Sequence, residues 1–223
     1  MNVLESIYSR KSIRKFKDET VPKEDILKML SAAAQAPSPK HQQNWNFVVL
    51  TNREIINKMA EIVTESHEKI GDLAKTEKEK KIHMSVLKYY TCFKNAPVVI
   101  MVYGSEYKMI EYKILKENNV SQDILDMLVS PQSAAQGIGA SVENFMLAAT
   151  EMGYGTCYMT GPTHAKDKIE KLIGFNKPEY NLMSMIALGV AQDETPAKPP
   201  RKPIEDIVTV SYTHLTLPTT ERV

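Results

Sequence analysis

The octapeptide PVVIMVYG at 97–104 constrains the fold more than any other stretch of the chain. It is uniformly apolar, so it shows neither the alternation of a half-exposed strand nor the stripe of a surface helix. The apolar run that contains it, Ala96 to Tyr103, is far too short to cross a bilayer, which takes about 20 residues. Such a run is expected as a strand covered on both faces, with helices above and below its sheet.

The flanking sequence supplies candidates for those partners. Asn2 with Glu5 reads as a capping pair for a short helix with Val3, Leu4, Ile7 and Tyr8 on one face. Pro22 opens a second helix expected to bury Ile26, Leu27, Leu30, Ala33 and Ala34 and to stop before Pro37. Residues 37–44 are loop-like and WNFVVLT (45–51) is a strand. Thr51 with Glu54 repeats the capping pattern ahead of a helix through Ile55, Ile56, Met59, Ile62 and Val63. The mixed-charge run KTEKEKK (75–81) predicts a solvated helix face or a connector. Residues 106–129 are helical but weakly patterned, and Ser130-Pro131 is expected to start a long helix. The small residues of that helix, SAAQGIGAS (133–141), suit close approach of another helix, including one from a second subunit. YGTCYMT (154–160) and NLMSMIALGVA (181–191) are further strands, with a helix ending at Gly174 between them. No linker precedes residue 192, so one domain is expected; alternation alone suggests an α/β arrangement.

Composition excludes several function classes. The 223 residues carry 28 Lys plus Arg against 27 Asp plus Glu, a balance that argues against a dedicated nucleic-acid or membrane-surface protein. Cys92 and Cys157 lie too far apart in sequence for a CxxC pair, a zinc ribbon or a disulfide framework, and Cys157 reads as a packing residue within a strand. The start of the chain has no apolar signal-peptide core, so a soluble, cytoplasmic protein is expected. Gly137-Ile-Gly139 lacks the third glycine and the preceding strand of a dinucleotide fingerprint. There is no phosphate loop, no HExxH and no GxSxG, so a bound cofactor is the expected source of any chemistry.

One constellation remains. In an extended segment Arg10, Ser12 and Arg14 project to one side, two guanidinium forks flanking a hydroxyl, a donor set that matches a phosphate dianion. A solvated basic segment after a helix C-terminus explains the same residues equally well.

SRKSIRKF (9–16), APSPKHQQNWNFVVL (36–50), ENFMLAATEMGYGTCYMTGP (143–162) and PPRKPIEDIV (199–208) stand in an order that resembles the nitroreductases. The resemblance runs from about residue 2 to residue 210. It implies an α+β fold with a mixed, mostly antiparallel sheet flanked by helices, in an intertwined homodimer with FMN at the subunit interface. Residues 1–210 are then the FMN-binding domain and 211–223 an extension outside the fold. By the same resemblance Arg10, Lys11, Ser12, Arg14 and Arg201 are similar to residues that hold the cofactor's phosphate end. Pro37, Ser38, His41 and Gln43 resemble a loop that reaches the flavin from the partner subunit; His41 and Asn44 stand where asparagine and proline are common. Thr160, Gly161 and Pro162 match the turn beside the flavin ring, where a glycine admits backbone amides to N5.

The activity implied is hydride transfer from NADH or NADPH through FMN to a nitroaromatic, a quinone or a related small acceptor, by a ping-pong mechanism with no catalytic side chain. Neither a metal, a nucleic acid nor a membrane has a part in it. The alternatives are a flavin-destroying or dehalogenating branch, and a non-catalytic flavin-binding or redox-sensing dimer.

Overall fold

The structure, a computed structural model, describes residues 2–192 and 197–209; the 211–223 extension lies outside the described residues. In chain order the elements are α1 (Val3–Ser9), α2 (Lys23–Ala33), β1 (Trp45–Leu50), α3 (Arg53–Gly71), α4 (Glu77–Ser85), α5 (Leu87–Tyr90), β2 (Val98–Ser105), α6 (Ile110–Glu117), α7 (Gln122–Val129), α8 (Ser133–Glu151), β3 (Gly155–Met159), α9 (Lys166–Ile173) and β4 (Tyr180–Gly189). Among the described residues no helix is long and apolar enough to cross a membrane.

The sheet order is β1-β2-β4-β3, and every pair is antiparallel. Helix–strand alternation therefore misleads here: the strands do not run parallel, and the fold is α+β. Among the described residues a parallel element enters only where Ser12 bridges Thr156 at the outer edge of β3. The uniformly apolar run is central, as its composition requires. Val99, Met101 and Tyr103 face a core shared with Ile56, Met59 and Val63 of α3, while Val98, Ile100 and Val102 face Met29 of α2 and Ile138, Val142 and Phe145 of α8. All six β2 residues are inaccessible or nearly so, each stabilising the fold by roughly 1.5–3 kcal/mol on transfer from water.

The small-residue face of α8 is used within the chain. Ser141 Oγ donates to the Ala33 carbonyl at 2.9 Å and Asn144 Nδ2 to the Ala32 carbonyl at 3.3 Å, fixing α8 against the end of α2. A Cβ at Gly137 would stand 3.3 Å from the Pro37 carbonyl oxygen, so this glycine lets the 37–44 loop lie on the helix.

Three local expectations are corrected. Asn52, not Thr51, caps α3, its side chain accepting from Glu54 and Ile55 amides. The α8 helix begins at Ser133, after a left-handed Gln132, instead of at Ser130. In α2 the buried set is Ile26, Met29 and Ala33, with Leu27 facing solvent. The capping box of Asn2 and Glu5 is present, yet the apolar face of α1 points outward: Val3 is 71% exposed and Tyr8 74%.

Candidate functional site

The cationic segment after α1 lies along the β3 edge. The Ile13 amide donates to the Thr156 carbonyl at 2.8 Å and the Lys17 amide to the Val190 carbonyl at 2.8 Å. Ile13 and Phe16 are buried, which leaves Ser12 and Arg14 exposed. The three-residue array is not uniform, however. Arg10 is turned to α8, where its Nε meets a Glu143 carboxylate oxygen at 3.1 Å. Arg14 instead lies over the Tyr89 ring, its guanidinium carbon 5.3 Å from the centroid. Lys198 Nζ donates to the Ile7 and Tyr8 carbonyls at 3.2 and 2.9 Å, completing the exposed end of α1. That contact pins the C-terminal arm to α1, and Arg201 farther along the arm is exposed.

Beyond Arg14 the structure assembles residues the sequence does not single out. Tyr90, adjacent to Tyr89, packs its ring where a Gly161 side chain would stand. Thr160, Gly161 and Pro162 form the turn that leaves β3, continued by a 3-10 turn whose His164 Nδ1 lies 2.6 Å from the Gly161 carbonyl. His67 and His83 stack at 3.7 Å, and each Nε2 lies 2.9 Å from the other's carbonyl. Carbonyls only accept, so both Nε2 atoms carry the proton. This lock holds α3 to α4 beside Tyr90, whose ring meets His67 edge-on at 5.3 Å. A tyrosine pair in a mixed-charge stretch carries no pattern that announces such a role.

The 37–44 loop is a separate unit. Lys40, His41 and Gln43 have φ of 47°, 55° and 48°, a left-handed conformation unfavourable for residues with side chains. Side-chain bonds hold it: the Gln43 amide donates to Ser38 Oγ at 2.6 Å, and Gln43 Nε2 lies 3.1 Å from His41 Nε2. Gln42 clasps the Lys108 backbone from both sides, at 2.8 and 3.0 Å, and buried Asn44 donates to the Glu106 carbonyl at 2.9 Å. Strain retained by so many contacts is characteristic of functional loops. Gln136 is committed to the Pro131 carbonyl at 2.6 Å, beside the start of α8.

The two units occupy one end of the sheet at opposite edges. The loop enters β1 at Trp45 and the Thr160 turn leaves β3 at Met159; the two strands are three spacings apart, about 14 Å across the sheet, and Met159 is level with Val48 in the register. Between them, at the ends of β2 and β4, opens a cleft of about 770 Å³ lined by Tyr107, Lys108, Tyr112, Lys116, Gln132 and Met183 among others.

A family profile described as the nitroreductase family matches residues 7–190. The chain belongs to the nitroreductase family. An Archaeoglobus fulgidus protein, provisionally named an NADH dehydrogenase/NAD(P)H nitroreductase, is 30% identical over 194 residues, covering 86% of each chain. Iodotyrosine deiodinase of Hydra vulgaris is 25% identical over 215 residues, covering 91% of this chain and 70% of that one. Among solved structures, a BluB-like flavoprotein from Clostridium difficile 630 superposes with a TM-score of 0.88 at 36% identity, covering 95% of this chain and 100% of that one. A nitroreductase with bound FMN from Bacteroides fragilis NCTC 9343 has a TM-score of 0.68 at 20% identity over 95% of this chain and 100% of that one, a likeness of fold.

The donor set suits a flavin mononucleotide. An exposed arginine and serine lie beside the β3 edge, Arg201 is carried by an arm pinned to α1, and the Thr156 hydroxyl at the Ser12 bridge is buried without a hydrogen-bond partner among the described residues. Guanidinium and hydroxyl donors match phosphate oxygens.

Proposed function

We propose that this nitroreductase-family chain is an FMN-dependent oxidoreductase that works as a homodimer. The observation that carries the reading is Arg14 with Ser12 on the β3 edge, joined through the Tyr89–Tyr90 pair to the Gly161 turn. Ser12, Arg14 and Arg201 bind the phosphate, with Lys11 beside them; Arg10 contributes by sharing its fork between Glu143 and the ligand. The Thr160–Gly161–Pro162 turn orients the ring edge at N5. The strained loop with Pro37, Ser38, His41 and Gln43 serves the flavin of a second copy, which agrees with its place at the far edge of the sheet. The outward apolar face of α1 suits a subunit contact, because a soluble monomer gains nothing by exposing Val3, Leu4 and Tyr8 together.

Bound FMN supplies the redox chemistry, taking hydride from NADH or NADPH and delivering it to a nitroaromatic, quinone or related acceptor in alternating half-reactions. The chain's part is anchoring, orientation and exclusion of water. Tyr107, Tyr112 and Lys108 line the cleft offered to the acceptor. Steady-state turnover with varied NAD(P)H and acceptor tests the scheme. Parallel double-reciprocal lines are expected; intersecting lines, or FMN bound without turnover, overturn it. The likeness to iodotyrosine deiodinase favours a second reading, reductive dehalogenation of an aromatic substrate. Halide release from a halotyrosine by the reduced protein separates the two.

A further inference from the structure

The chain's two cysteines, remote in sequence, meet in the core. Cys92 opens the 3-10 turn Cys92–Asn95 and Cys157 lies mid-strand in β3; both are buried, free thiols with sulfurs 3.9 Å apart. The turn is held firmly: Arg53 Nη1 donates to the Lys94 and Ala96 carbonyls at 2.8 and 3.0 Å, Thr91 Oγ1 donates to the Leu87 carbonyl at 3.0 Å, and Phe93 is wholly buried. On the other side, pairing with Ala187 fixes Cys157. Two backbone elements thus present their sulfurs to each other. At 3.9 Å they are not bonded, and a disulfide of about 2.05 Å requires one or both side chains to turn about χ1.

We propose that Cys92 and Cys157 form a reversible intramolecular disulfide on exposure to hydrogen peroxide. The two thiols are unequal: the hydrogen bond from Cys92, aided by Arg14, pushes Cys157 down to about 7, whereas the bond to Cys157 and burial push Cys92 up. Cys157 is therefore the attacking sulfur. Its thiolate attacks one peroxide oxygen, the O–O bond breaks, hydroxide leaves, and Cys157 becomes a sulfenic acid. Cys92 sulfur displaces that hydroxyl, forming the S–S bond. In sum two thiols lose two electrons and two protons, and one peroxide becomes two waters. A small dithiol reverses the step by exchange.

The test starts with the full-length reduced protein, without FMN, treated with stoichiometric peroxide. Peptide mapping under non-reducing conditions is expected to recover a Cys92–Cys157 cross-linked peptide, both thiols lost together and restored by dithiothreitol. Oxygen added to one cysteine while the other remains free, or a cross-link between subunits, overturns the proposal. Cys92→Ser is expected to leave Cys157 as a trappable sulfenic acid, and no trapping there counts against Cys157 as the attacking sulfur. If that variant does not fold, dimedone competition during wild-type oxidation gives the same information. Cross-linking in a protein that binds no FMN leaves the disulfide standing and sinks the cofactor reading.

Discussion

The Tyr90 ring fills the space that a side chain at Gly161 would need, so the turn beside β3 and the end of α5 are built as one unit. Gly161→Ala is expected to destabilise the protein by about 1–3 kcal/mol through overpacking. The cost should shrink when Tyr90 is also replaced by Ala, because contacting residues are not additive. Equal costs in both backgrounds, measured by urea unfolding, would show that the two residues do not share this space.

Arg14→Ala is expected to weaken FMN by about ten- to a hundredfold, the value of a charge-assisted bond or two. Riboflavin, which lacks the phosphate, should bind wild type and variant alike. Fluorescence titration with both ligands checks this; a parallel loss for riboflavin would move Arg14 away from the phosphate.

Tyr103 stacks on Phe175 at 3.8 Å, but its buried hydroxyl has no partner among the described residues. Burial, followed by the Glu170 charge, pushes its ionisation upward. Tyr103→Phe keeps the stacked ring and removes the orphaned hydroxyl, a change worth about 1 kcal/mol in favour of the folded state. A clear drop in Tm would show that the hydroxyl has a partner in solution.

His67 is held below the ordinary imidazole range, chiefly by burial. A base depressed in the folded state binds fewer protons there than in the unfolded chain, so stability falls as pH drops below about 6.5. Wild type should lose Tm between neutral pH and pH near 5 by more than His67→Gln does. Equal losses would assign the acid sensitivity to other groups.

The reach of the sequence is clear from particular residues. Residues 97–104 announce a doubly covered strand because burial on both faces demands it, and Asn2 with Glu5 announces its cap because capping is local. At α3 two adjacent residues are both competent caps, and backbone conformation chooses Asn52 over Thr51. For α1, an apolar stripe reads the same whether it meets the chain's own core or faces outward, and here it faces outward. Arg10, Ser12 and Arg14 are legible as a basic motif, but the divergence of Arg10 toward Glu143 and Arg14 toward Tyr89 depends on α8 and α5, which lie far along the chain. The meeting of Cys92 with Cys157 is likewise a product of strand order, invisible to spacing.

Anaerobic mixing of the FMN-loaded protein with NADH or NADPH, followed through flavin absorbance, tests the central claim most directly. Bleaching of the oxidised flavin by at least one nucleotide is expected, with colour returning when a nitroaromatic or quinone is added. A protein that takes up no FMN, or whose bound FMN stays oxidised in both nucleotides, contradicts the account.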